Sequence, residues 1–455
     1  MIFGLNNRSA NALRPRTDES ELPARSRLCG QEMPHKLEGL RTEDQVESMP
    51  AASPLQIVLF RHIEDPDVLP YEEAIIRAFQ GGKEAGGYLA TGEDLGIQLQ
   101  IFSGAPSPDY PVTKTLDSFC HTLTVVLVDR ALLEKGGDAL WDWLAECWSY
   151  TKASRGRHMM LAVPMDERIG NQFSAKRPAL GTLQLRQVYE LGERAIRPAL
   201  LALRLLHECR VLLANSLPLK PPAGCPPGHL RLFISHAKVD GLPLAHALKH
   251  QIEALGWLKG FYDADDLPAG SDWQEELERG VGSSLIVMLR TEVYDSRYWC
   301  QQEVLWADEY ATPAVLVDAR TALNHPAGVL PFDRIPTVRI PDGNLMRVLF
   351  LALREGLRFL YFMRRVEELK HSGELPNPVE LRVFSYAPSM PALLRACRVL
   401  ATSIEPAKTP RLILHPDPAL RAGVFEAAQA LVNAYAPGTR LLTPNTLAAT
   451  KGTAP

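Results

Sequence analysis

The stretch "SSLIVMLRTEVYDSRYWCQQEVLWA", residues 283–307, carries both periods that decide the fold. Leu285 to Leu289 is a short apolar run bounded by serines and an arginine, which is the length and texture of a buried strand. Beyond the loop, Trp299, Gln302, Glu303 and Trp306 recur at i, i+3, i+4 and i+7, which is one face of a helix. Cys300, Val304 and Ala307 share the neighbouring face, the better one to lay on a sheet. A strand that feeds a helix in this way is half of a βαβ unit, so the sheet is expected to be parallel and covered on both faces.

Working outward, the same alternation repeats. Upstream, "LRLFISH" is a strand, Pro243 opens a helix with the stripe Leu244, Leu248, Ile252 and Leu255, and Gly256 stands where such a helix ends. "GFYDADDLPAG" is a strand running into a long loop, and Asp272 with Glu275 makes a capping-box start for the next helix. Downstream, "PAVLVDA" and "IPTVRI" supply two more strands. From Leu55, "LQIVLF", "IQLQIF", "TLTVVLVD" and "HMMLAVP" are strands that alternate with the helical "YEEAIIRAF" and "ALWDWLAECW". The C-terminal stretches "VELRVFSYA", "RLILHP" and "TRLLTP" alternate with two more helices.

The fold expected is therefore multi-domain α/β. Residues 1–53 mix Arg, Ser, Glu and Pro without a period and read as a disordered tail. Residues 54–172 form an α/β domain, and 173–228 a helical segment ending in the proline-rich linker "PLKPPAGCPPGH", which neither a helix nor a central strand can absorb. Residues 229–343 are the central α/β domain, 344–372 a long helix, and 373–455 a small C-terminal α/β unit with a nucleotide-binding texture.

A chain of 455 residues, 46% hydrophobic and 22% charged, has the composition of a soluble multi-domain protein. Its net charge of -4, with both signs interspersed, argues against direct nucleic-acid binding. The longest apolar stretches are interrupted by Arg204, Glu208, Arg354, Glu355 and Arg358, so they read as buried helices rather than membrane spans. The cysteines include no C-x-x-C pair, which points to reduced thiols and a cytoplasmic location without a metal site.

The segment from Leu232 to Ala307 resembles a bacterial-type TIR (Toll/interleukin-1 receptor) domain. The features that match are "ISHA" with Asp240 after it, "FYDADDLPAGSDW" after the second strand, and "DSRYWCQQE" opening the third helix. The resemblance extends over about residues 229–345 and implies a flavodoxin-like parallel sheet. It also implies an enzyme that cleaves the nicotinamide–ribose bond of NAD+, with Glu303, the glutamate of W-C-x-x-E, as the catalytic carboxylate. Phe233, Ser235, His236, Lys238, Tyr262, Asp265, Trp273 and Trp299 would line the substrate pocket, with NAD+ as substrate and neither cofactor nor metal required. Domains of this kind associate with copies of themselves, so a homo-oligomer is expected, switched by an unknown protein or nucleotide trigger, in a defence or stress response.

The residues alone leave alternatives open. Glu303 is either a solvated helical acid or a group at the C-terminal edge of the sheet, where open α/β folds bind ligands. Ser235 and His236 serve equally as a polar strand end, and Trp299 and Trp306 are more often packing than ligand contacts. The pair "TLTVVLVDRALLEKGGDALWDWLAECW" and "SSLIVMLRTEVYDSRYWCQQEVLW" suggests that the N-terminal domain is TIR-like too. With Trp141 set on Trp299, however, Ala145 falls at the place of Glu303, and Glu146 is rotated away by about 100°. Two non-catalytic readings therefore stand beside the enzyme: an interaction scaffold, and a sensor whose C-terminal unit binds a nucleotide.

Overall fold

The computed structural model describes residues 53–451, apart from 63–65, 83–93, 108–109, 186, 191–192, 218–229, 259–260, 263–272, 322–334, 341–342, 377 and 403–408. The expected tail, apart from Ser53, and the proline-rich linker lie outside the described residues. Residues from Pro50 onward form one compact unit.

The first sheet is built by β1 (Leu55–Phe60), α1 (Leu69–Gln80), β2 (Gln98–Phe102), α2 (Val112–Asp117), β3 (His121–Val128), α3 (Arg130–Lys135), α4 (Gly137–Ala153) and β4 (His158–Pro164). Then come α5 (Glu167–Lys176), the single-turn α6 (Pro178–Gly181) and α7 (Gln187–Glu190), and the long α8 (Arg197–Ala214). The second sheet is built by β5 (Leu232–His236), α9 (Leu242–Leu255), β6 (Phe261–Tyr262), α10 (Trp273–Gly282), β7 (Leu285–Arg290), α11 (Tyr298–Glu309), β8 (Ala314–Asp318), β9 (Thr337–Arg339) and the long α12 (Leu345–His371). The third is built by β10 (Glu380–Val383), α13 (Met390–Ala401), β11 (Arg411–Leu414), α14 (Ala422–Tyr435), β12 (Thr439–Leu442) and α15 (Pro444–Lys451).

Among the described residues all three sheets are parallel, with orders β2-β1-β3-β4, β6-β5-β7-β8-β9 and β10-β11-β12. The first two share the order second, first, third, fourth. This is the mixed α/β architecture that the alternating pattern predicts, with the flavodoxin-like central sheet that the resemblance implies.

Each of these two sheets is followed by a long helix, and the two helices pack on each other. Apolar residues of β1, β3, β5 and β7 join those of α1, α8, α9 and α12 in one continuous core. Within it Leu201, Leu203, Leu205, Leu206 and Leu213 of α8 are fully buried. Each buried leucine contributes about 2 kcal/mol of apolar transfer.

Two polar side chains of α12 reach across this layer to the first sheet's elements. The Arg354 guanidinium, on α12 and 2% exposed, donates to the carbonyls of Arg77 and Ala78 in the last turn of α1 at 3.3 and 3.2 Å. Those carbonyls have no partner within their own helix and lie at its negative end, so a cation satisfies both needs. Tyr361 of the same helix donates to the Gly96 carbonyl at 3.0 Å and meets the Ser53 hydroxyl at 2.9 Å, beside the start of β1.

At the same edge of the first sheet, His121 and His158 are the opening residues of adjacent strands and are 2% and 4% exposed. His121 Nδ1 lies 3.1 Å from the Pro54 carbonyl. Burial pushes both imidazoles down to about 4. Nearby arginines add to that, while the Pro54 carbonyl opposes it at His121 and Asp117 opposes it at His158.

Both histidines are thus neutral when folded and take up protons near pH 6.5 when unfolded. Their contribution is complete above pH 6.5 and is lost as the pH falls toward 4, at up to about 1.4 kcal/mol per pH unit for each histidine. Urea titrations at pH 7.5, 6 and 5 are expected to show this decline. His121→Gln together with His158→Gln should flatten it between pH 6.5 and 5, and an unchanged slope would remove the two rings as its cause.

Candidate functional site

The site is built where β5, β7 and α11 meet at the C-terminal edge of the central sheet. Alternation along β5 sends Phe233 and Ser235 to the face covered by α10 and α11, and Leu232 and Ile234 to the face covered by α9 and α12. Ser235 is 1% exposed and close to the strand end, so its hydroxyl needs a partner inside the protein. It donates to Glu303 Oε2, and its oxygen lies 2.5 Å from the hydroxyl of Tyr294, which is fully buried.

The direction of this chain follows from the proton count. Ser235 gives its one proton to the carboxylate, so Tyr294 must donate to Ser235. Burial first, and then the charges of Cys300 and Glu303, push the Tyr294 hydroxyl well above its ordinary value, which keeps it protonated and able to donate. Glu303 itself is 7% exposed, so the solvated-acid reading fails. Cys300, Val304 and Ala307 face the sheet as their spacing predicts, and the carboxylate is buried beside them.

Two loops around the site are held by charged anchors. Asp240, after β5, accepts from Thr291 Oγ1 at 2.7 Å and from the Val293 amide at 3.2 Å, tying the β5–α9 turn to the segment that carries Tyr294. The turn is tight, because a Cβ on Gly241 would stand 2.9 Å from the Ala237 carbonyl oxygen. Arg290, at the end of β7, grips both oxygens of Asp295, and Gln301 donates to the Asp295 carbonyl at 2.7 Å. The start of α11 is therefore fixed against the sheet before Glu303 is reached.

The sequence-predicted residues separate. Glu303 and Ser235 are brought together. Phe233 is corrected from a pocket residue to a core residue: it is 1% exposed among Leu277, Val281, Ile286 and Val304. It lies two residues deeper than Ser235, about 7 Å inside the sheet edge and under α10 and α11.

His236 is half-buried, and its Nε2 is enclosed without a hydrogen-bond partner among the described residues. Lys238 is exposed on the loop beyond it. Trp299 is half-buried and packs on the same core, with ring centroids 5.1 Å from Tyr298 and 6.5 Å from Trp306. The Tyr262 backbone pairs with Phe233, and Trp273 opens α10, while the side chains of both lie outside the described set. Asp265 also lies outside the described residues.

Sequence reasoning missed Tyr294. Its one signal was an aromatic residue in an otherwise polar loop just before the helix. The Cys300 thiol is buried, and burial followed by the Glu303 charge pushes it up, so it holds no thiolate for nucleophilic work.

The helix α4 of the first sheet carries no counterpart of this acid; the buried carboxylate at that sheet's edge is Asp129, which caps α3 by accepting from the Leu132 amide at 2.5 Å. Every carboxylate of α4 (Asp138, Asp142 and Glu146) is exposed, as is Ala145. At the sheet's strand ends Phe60 instead stacks on Phe102 at 5.3 Å and leans on Trp143 at 5.1 Å. Aromatic rings occupy the region where the central sheet keeps its polar chain.

Residues 232–337 match the family model described as TIR domain. No curated protein matches the chain. Among solved structures, the tagatose-6-phosphate ketose/aldose isomerase from Escherichia coli aligns at 11% identity over 71% of this chain and 85% of its own. Its TM-score is 0.16, which carries no argument.

Removing the Ser235 hydroxyl leaves a buried carboxylate short of a donor. Ser235→Ala is therefore expected to lower unfolding stability by about 1 to 3 kcal/mol, and Tyr294→Phe by about 1 kcal/mol. In a double-mutant cycle the two losses should fall short of additive, as expected for one continuous chain. Urea unfolding checks this, and strict additivity would break the chain into unrelated contacts.

Proposed function

Taking residues 232–337 as a TIR domain, we propose that the protein is an NAD+ glycohydrolase or cyclase with Glu303 as its catalytic carboxylate. One observation carries this reading: a glutamate at the ligand-binding edge of a parallel sheet is 7% exposed and is oriented by a serine that a buried tyrosine orients in turn. A buried acid is costly unless it is held, and holding one beside two loops suits a ligand better than it suits a fold.

The chemistry asks little more of the protein. As the bond between ribose and nicotinamide lengthens, positive charge grows on the sugar ring, and a preorganised carboxylate beside it lowers the barrier electrostatically. Nicotinamide leaves as a neutral molecule and needs no proton. Water then attacks the ring carbon and releases a proton to give ADP-ribose, while attack by an atom of the same molecule gives a cyclic product. The enclosed Nε2 of His236 supports a second polar contact at the strand end.

Self-association is the natural switch for such an enzyme. Val239 is 70% exposed and Tyr298 is 66% exposed, and both border the site. With Leu305 and Tyr310 further along, they give this side apolar contacts for another copy of the chain. We read the protein as a cytoplasmic effector of a defence or stress response, triggered by a protein or nucleotide. The same exposed residues favour the scaffold as the second reading, in which Glu303 is idle. A nucleotide-sensing role for β10–β12 rests on its parallel layout alone.

Chromatography of NAD+ incubated with concentrated full-length protein separates these readings. The native protein is expected to release nicotinamide, and Glu303→Gln to lose on the order of 100-fold or more in kcat with assembly unchanged. Equal release by both proteins would acquit Glu303, and release by neither at any protein concentration would favour the scaffold.

A further inference from the structure

The end of α11 is held twice: within its own unit, where Tyr310 donates to Glu278 of α10 and Thr312 Oγ1 to the Val281 carbonyl at 3.2 Å, and from outside by the C-terminal unit. Asp308, five residues beyond Glu303 and 7% exposed, accepts from the Ser389 hydroxyl at 3.0 Å and from Arg395 Nη2 at 2.6 Å. Both partners belong to the C-terminal unit. Ser389 is the N-cap of α13, where its oxygen accepts from the Ala392 amide at 3.2 Å, and Arg395 lies within that helix.

The placement of Asp308 runs against local preference. An acid in the last turn of a helix faces the negative end of its own dipole, and burial adds a desolvation cost. The compensation comes from outside, from the positive end of α13 and the Arg395 guanidinium. Around this contact Tyr386 packs on the core of the central sheet, and Ala311, just past α11, packs on the core of the C-terminal unit.

We infer that Asp308 is a positioning residue: through the Arg395 and Ser389 contacts, the C-terminal α/β unit sets the pose of α11 and with it the Glu303 carboxylate. The catalytic half of this statement rests on the NAD+ reading above, while the mechanical half does not. At its start α11 is locked to its own sheet through Asp295 and Gln301, and the C-terminal unit, beside the Tyr310 contact with Glu278, grips the other end of a short rigid rod. A helix moved by about 1 Å is enough to misplace a reacting group.

The test uses the full chain. Arg395→Met removes the charge and keeps much of the stem, and Arg395→Lys restores a charge. For Arg395→Met, kcat for nicotinamide release should fall about tenfold or more with KM within about twofold. Backbone amides of residues 303–310 should exchange with deuterium about tenfold faster, while those of β5 and β7 stay unchanged. Arg395→Lys should recover most of both effects, and Asp308→Asn should reproduce the loss.

Faster exchange confined to residues 380–442, with kcat and α11 unchanged, overturns the proposal, because Asp308 would then only fasten the C-terminal unit. A change in KM alone overturns it too. If the native protein leaves NAD+ intact, the catalytic reading fails and the exchange arm decides the positioning by itself.

Discussion

A parallel sheet has two apolar faces and no side that tolerates water, so every parallel sheet in a chain must be covered twice. Here that constraint is met jointly. The helices α8 and α12, each trailing its own sheet, are buried against one another, and one apolar layer covers a face of both sheets. Everything at the functional edge depends on this arrangement. With α9 and α12 closing one face of the central sheet, the other face is left to α10 and α11, and α11 delivers Glu303.

The buried carboxylate is the second organising element, and it is supported in tiers. Tyr294 donates to Ser235, and Ser235 donates to Glu303. The loop that carries Tyr294 is tied down by Asp240 and by the pair of Arg290 with Asp295. None of these anchors needs a ligand to be present, which is the meaning of preorganisation: polar groups are oriented by folding, and the cost is met before any charge develops. The first sheet, with the same strand order, has aromatic stacking at its strand ends and exposed acids on α4. One scaffold thus appears twice with two different fillings.

Strands such as β1, β7 and β8 were legible because they are short, largely apolar runs closed off by Pro or polar residues, and α9 was legible to its last turn through Pro243 and Gly256. Glu303 was legible as a position through its helical register and the motif around it. Its surroundings were not. Tyr294 meets Ser235 across 59 residues, and Asp308 meets Arg395 across 87, and neither period nor local propensity encodes a contact at that range. Phe233 shares a face with Ser235, and sharing a face does not reveal depth within the sheet. The closing helix α15 escaped notice because Pro444 starts it directly after a strand and its polar sequence has no apolar stripe to announce it.

The bond from Arg354 to the final turn of α1 has a consequence for how such a chain can evolve. A guanidinium on the helix after the central sheet completes a helix of the first sheet, so the central sheet taken together with α12 is not a portable cassette. Moved elsewhere by recombination, it would carry a buried cation without its carbonyls and a leucine-facing surface without its cover. Duplication followed by divergence in place keeps both halves of every such contact under one selection.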